Sequence, residues 1–166
     1  MTFSQRDINL YMDIAERVAK QSYAQRLQVG AVFVAESGVM TIGYNGTSPG
    51  EDNCCEHREE RSYHNTEHAE ILAASGWSID VTRDRIAYRL TTKPSVLHAE
   101  ENILGKLLEE GISARNGSFF MTHSPCPQCA KMLKRIKLAS VYYRREYRSS
   151  DGIKLLLDAG IDVHKV

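Results

Sequence analysis

Residues 118–144 read SFFMTHSPCPQCAKMLKRIKLASVYYR, and they hold the fold in miniature. Residues 118–122 are an apolar, aromatic run of the length of a buried strand. Ser124-Pro125 breaks it, and the pattern from Cys126 to about Lys137 predicts a helix. Residues 139–144 predict the next strand. The alternation continues on the C-terminal side, with a helix over 152–159 and a strand over 161–166. Upstream, Ile103, Leu104, Leu107 and Leu108 give residues 98–110 a helical period that stops at Gly111. Strands alternating with helices predict an α/β sheet covered by helices.

The N-terminal third adds to the same sheet. Ser4 followed by Asp7 can cap a helix, and Ile8, Met12, Ala15 and Val18 give it an apolar face, so a helix is expected to about Ala24. Two apolar, β-branched runs, 29–35 and 39–44, flank a turn at Glu36-Ser37-Gly38. Residues 45–50 are loop by composition. From 51 to 93 no clear period emerges beyond a short helix over 67–74, ending near Gly76. No linker or repeat interrupts the 166 residues, which fits one domain spanning 1–166.

Composition narrows the function classes. Apolar residues make up 42% and charged residues 25%, the balance of a globular chain rather than a disordered or low-complexity one. Lys+Arg and Asp+Glu are both 21, so the net charge is zero. Proteins that hold tRNA or DNA through phosphates are usually basic, so a small nucleotide is the better candidate partner. No stretch reaches the ~20 apolar residues needed to span a bilayer, and the N-terminus lacks the order of a signal peptide. A cytoplasmic protein without membrane or nucleic-acid partner is expected. The four cysteines fall in two close pairs, Cys54-Cys55 and Cys126/Cys129. In such a chain a CxxC pair points to metal or redox chemistry.

His98-Ala99-Glu100 precedes Pro125-Cys126-Pro127-Gln128-Cys129, with 28 residues from His98 to Cys126. One imidazole and two thiolates are suitable zinc ligands, and three of them leave one tetrahedral position open to water. Glu100, two residues after His98 at a helix start, can approach that water without ligating and take its proton. Helix starts at His98 and Cys126 would favour the negative groups through their dipoles. The alternatives are a structural zinc knuckle, completed by His123 or a residue of 54–68, and a redox pair. The combined H-x-E … P-C-x-x-C pattern is the signature of zinc nucleobase deaminases.

On these residues the chain resembles the deoxycytidylate (dCMP) deaminases of the cytidine-deaminase superfamily, most of all their phage type. Further matching residues are Arg26, Val29-Gly30-Ala31-Val32, Gly43-Tyr44-Asn45-Gly46, Asn102, Ser124, Tyr142, Tyr147 and Ala159-Gly160-Ile161. The resemblance implies a three-layer α/β/α sandwich around a five-stranded mixed sheet. It implies Zn2+ on His98, Cys126 and Cys129, Glu100 as the catalytic proton carrier, and hydrolysis of dCMP to dUMP and ammonia, which supplies dTMP synthesis. Substrate contacts carried over are Arg26 and Tyr147 at the phosphate, Asn45 at a sugar hydroxyl, and Ala99 and Ser124 near the base. It also implies a homohexamer, activated by dCTP and inhibited by dTTP, each bound with Mg2+ near Gly43, Tyr44, Asn45 and Gly46. Glu109 stands where some relatives carry a basic interface residue.

A second HxE, His68-Ala69-Glu70, lies 58 residues before Cys126. The shorter connection from His98 is one helix, one loop and one strand, which brings both helix starts to one sheet edge, so His98 and Glu100 are preferred. Within the superfamily, tRNA adenosine deaminases and free-base deaminases are the alternative activities. A non-catalytic structural zinc domain is the alternative outside enzymes. Cys54, Cys55, His57, His64 and His68 form a second group of potential ligands. The second structural zinc of some relatives uses a cysteine that falls near Ala24 here.

Overall fold

A computed structural model describes residues 2–166. Two sheets build it. The larger contains β1 (Gly30–Val34), β2 (Met40–Tyr44), β6 (Ser118–His123), β7 (Ser140–Arg145) and β8 (Asp162–Lys165), in the order β2-β1-β6-β7-β8. β1 is antiparallel to both neighbours, whereas β6, β7 and β8 run parallel, so the sheet is mixed.

Alternation along the strands divides the core into two faces. Val32, Val34 and Phe120 pack with Met12 and Ala15 of α1 (Gln5–Ala19). Ala31, Phe33, Phe119 and Met121 face the other side. There they meet Ile103 and Leu107 of α3 (Ala99–Glu109), Leu133 of α4 (Pro127–Arg135) and Leu156 of α5 (Asp151–Leu157). Helices on both faces make the three-layer α/β/α sandwich.

The α1 cap is the expected one: the Ser4 hydroxyl accepts from Asp7 N–H, and the Asp7 carboxylate accepts from Ser4 N–H. The helix ends at Ala19 rather than near Ala24, a correction to the sequence reading. Val18 and Ala19 are its last buried positions, and the N–H groups of Gln21 and Ser22 turn back to Val18 O and Ala19 O. The chain then crosses toward β1 as a loop, where Ala24 is buried against Cys55 and Val96 instead of on a helix face.

The second sheet has no counterpart in the sequence reading. It contains β3 (Glu56–Ser62), β4 (Ser78–Ile79) and β5 (Ile86–Thr92), in the order β3-β5-β4, with α2 (Thr66–Ala74) against it. β3 reads EHREERS, a sequence poor in strand formers. Cross-strand pairs hold it. Glu59 sits opposite Arg89 and bonds it at 2.8 Å, Arg58 lies 3.9 Å over the Tyr88 ring, and Arg61 stacks on Trp77. Beneath them Leu72, Trp77 and Ala87 form a small core.

Candidate active site

His98 and Cys126 are the N-cap residues of α3 and α4, two of the three helices that cover one face of the large sheet. The β6 strand delivers the chain to Cys126. Pro127 then supplies the preset backbone angle of a first helical turn. The start of α3 is fixed by three contacts. Gly46 and Leu97 exchange backbone hydrogen bonds, the Glu101 carboxylate accepts from His98 N–H at 2.7 Å, and the Asn102 side chain donates to Tyr44 O at 2.7 Å.

The helix starts bring His98 Nδ1 to 3.6 Å from Cys126 Sγ and 3.3 Å from Cys129 Sγ. All three ligand atoms lie within 4.8 Å of one another, and no other such group occurs among the described residues. Two sulfurs and one imidazole nitrogen are a borderline-soft donor set, which fits zinc. The hydrogen bond from Cys129 holds Cys126 down to about 4, while its place as donor and its burial push Cys129 far above an ordinary thiol. The contact with Cys126 raises His98 to about 9. Without a metal the triad thus holds one thiolate beside a protonated imidazole, and ligation by all three requires His98 and Cys129 to give up their protons.

Glu100 lies in the first turn of α3 at 5% exposure, and burial pushes its carboxyl up. A carboxylate removed from water and held beside the His-Cys-Cys group is suited to accept and return a proton. His68 is elsewhere. It lies on α2 beside the second sheet, its N–H spent on the Asn65 cap, with His64 as its ring neighbour. Cys54, Cys55, His57, His64 and His68 do not gather into a ligand group: Cys55 is buried with Ala24 and Val96, while Cys54 is exposed.

The triad opens into a cavity of about 680 Å³ at the carboxyl ends of β6 and β7, the end at which α/β sheets bind ligands. Arg26, Asn45, Ala99, Ser124 and Tyr147 all line it. The Asn45 side chain accepts from Val29 N–H at 2.8 Å and donates to Leu27 O at 2.9 Å, so it braces the wall and keeps one N–H and one lone pair for a ligand. Ser124 does not cap α4. Its hydroxyl accepts from Tyr147 N–H at 2.8 Å and ties the two cavity segments together, while Cys126 Sγ takes the capping role toward Cys129 N–H.

Arg144 and Arg145 point away, to Asp13 and Glu16 of α1. Arg148 lines the cavity beside Tyr147. Lining residues that the sequence reading missed include Glu56, Thr91 and Thr92 of the second sheet, Val96, and Glu146. His123, considered there only as a fourth zinc ligand, also lines the cavity and bonds Thr122 Oγ1 instead. Gly43 has a packing role: a Cβ there would stand 2.6 Å from Ala99 O, so only glycine lets α3 lie this close to β2.

Residues 5–145 match the model of the cytidine and deoxycytidylate deaminase zinc-binding region, and the chain belongs to that family. The crystal structure of the dCMP deaminase from cyanophage S-TIM5 in complex with dCMP and dUMP superposes with a TM-score of 0.75 at 32% identity, over 99% of this chain and 100% of that one. The deoxycytidylate deaminase of Enterobacteria phage T4 is 29% identical over 93% of this chain and 87% of its own length. Within the family the chain is thus of the phage deoxycytidylate deaminase type. A tRNA A34 deaminase structure, at 15% identity and a TM-score of 0.55, shares the fold.

Proposed function

We propose that the chain binds one zinc through His98, Cys126 and Cys129 and hydrolyses dCMP to dUMP and ammonia. The observation that carries this reading is the buried Glu100 beside the His-Cys-Cys group, at one end of a cavity whose walls hold Arg26, Tyr147 and Arg148. A cavity of this volume suits a nucleoside monophosphate.

Zinc, when bound, supplies a hydroxide nucleophile at neutral pH. Glu100 takes a proton from the attacking water and delivers it to ring N3, then carries the second water proton to the departing amino group, so that water oxygen replaces nitrogen at the base and ammonia leaves. Ala99 and Ser124 border the base, Asn45 offers its remaining N–H to a sugar hydroxyl, and Arg26 and Tyr147 take the phosphate. A guanidinium fork matches a phosphate dianion.

The same reading extends to regulation: a cytoplasmic homohexamer feeding dTMP synthesis, activated by Mg2+-dCTP and inhibited by Mg2+-dTTP near Gly43, Tyr44, Asn45 and Gly46, where β2 ends. Assembly is supported by a second, apolar groove of about 900 Å³ between α3 and α4, with Leu108 83% exposed at its rim. The test is ammonia release from dCMP, dCTP, deoxycytidine and tRNA by the purified protein. Turnover of dCMP is expected, sigmoidal in substrate, shifted to lower concentrations by Mg2+-dCTP and to higher by Mg2+-dTTP. Activity on deoxycytidine or tRNA with none on dCMP overturns the assignment. Complete loss of dTTP binding when a tight inhibitor fills the active site overturns a separate effector site.

A further inference from the structure

The loop between α1 and β1 carries Arg26 into the cavity wall, and it has no sheet or helix to hold it. Its backbone amides still need acceptors. Those of Gln25 and Arg26 both donate to a single carboxylate oxygen, Glu56 Oε1, at 3.0 and 3.2 Å. Glu56 is the first residue of β3 and is 8% exposed, a buried charge in an otherwise exposed strand. The other end of Arg26 is held as well: its Nη1 donates to Thr92 Oγ1 at 3.1 Å. Glu56 and Thr92 are cross-strand partners in the β3–β5 pair. One rung of the second sheet therefore fixes both the backbone and the guanidinium of Arg26.

We propose that Glu56 is a positioning residue for substrate binding, and that the second sheet acts in the reaction by presenting Arg26 to the nucleotide phosphate. This rests on the reading of the chain as a dCMP deaminase. Holding a long side chain at both ends moves its ordering entropy from the binding step to folding. Two charge-assisted hydrogen bonds to consecutive amides suit this task. A negative charge in the wall of a phosphate site is otherwise a disadvantage, and its retention there is explained by the two amides it holds.

The test compares Glu56→Ala, Glu56→Gln and Thr92→Val in the zinc-loaded full chain, with dCMP and deoxycytidine as substrates. Glu56→Ala is expected to raise KM for dCMP about tenfold with kcat little changed, and to lower the dCMP preference over deoxycytidine by a similar factor. Glu56→Gln keeps an acceptor oxygen for both amides and is expected to restore most of the wild-type KM. Thr92→Val frees only the guanidinium and keeps the fold intact, so a several-fold rise in KM for dCMP is expected even if Glu56→Ala does not fold. Equal losses on both substrates, equal behaviour of the Ala and Gln variants, or an unchanged KM in Thr92→Val overturns the inference. A wild-type protein that does not turn over dCMP overturns instead the reading on which it rests.

Discussion

Replacing Gly43 with alanine puts one methyl group into the seam between β2 and α3. The added Cβ would stand 2.6 Å from Ala99 O and 2.8 Å from Ile103 Cγ1, where ordinary van der Waals contact begins near 3.4 Å. The Ile103 side chain can rotate; the Ala99 carbonyl belongs to the first turn of α3 and cannot. The start of that helix must retreat by about 0.8 Å, the difference between 3.4 and 2.6 Å. His98 and Glu100 flank Ala99 and move with it, whereas Cys126 and Cys129 ride on a different helix. Overpacking of this kind costs about 1–3 kcal/mol, which lowers Tm by about 2–4 °C for each kcal/mol in a chain of this size. A misplacement approaching 1 Å costs on the order of a hundredfold in turnover. The assay is a thermal melt, zinc content and dCMP turnover on the same preparation. Gly46→Ala is the control: its Cβ meets nothing closer than 3.9 Å, so a change within about 0.5 kcal/mol is expected. If Gly43→Ala melts and turns over like the wild type, or if Gly46→Ala is equally damaging, the packing argument fails.

Four further outcomes are expected. Cys129→Ser should lose zinc and activity together, and metal analysis showing unchanged zinc would remove Cys129 from the site. Glu100→Gln should keep zinc and lose at least about a hundredfold in turnover, because an amide cannot accept the proton; Glu70→Gln, on α2, should leave turnover near wild type, and the reverse result would exchange the two HxE motifs. In zinc-stripped protein at pH 7, ultraviolet thiolate absorbance should show one thiolate that disappears in Cys126→Ala, and Zn2+ addition should create a second with release of two protons, one from Cys129 and one from His98. Because Cys126 is held down to about 4 from 9.0, its contribution to stability is complete above 9.0 and is lost as pH falls through about 4. A metal-free melting temperature that does not fall between neutrality and pH 4 would contradict that shift.

The large sheet was legible because its central strands are short apolar runs bounded by a turn or a helix cap, and because Gly111 and Ser124-Pro125 mark the stops. The metal group was legible for a related reason: helix starts place residues close in sequence on one edge, so His98 and Cys126 announce their geometry through their neighbours. The second sheet was not. β3 is a row of Glu, Arg and His whose stability comes from partners on β5 and from Trp77 just before β4, and no pattern within EHREERS discloses Arg89, Tyr88 or Trp77. Glu56 was invisible for the same reason, since its partners lie 30 and 31 residues upstream. The overlong α1 has a different cause. Ala24 is apolar and fits a helical period, but it is buried against Cys55.

That small contact among Ala24, Cys55 and Val96 bears on how the molecule meets scarcity. A joint closed by an ion loosens when the ion is withdrawn; one closed by carbon and sulfur is complete once the chain has folded. Among the described residues, one group gathers zinc-type ligands, His98–Cys126–Cys129, and a shortage of zinc is felt there. Starvation for zinc should leave behind not wreckage but an idle, intact protein, with the cavity walls still joined and ready to work again when a single ion returns.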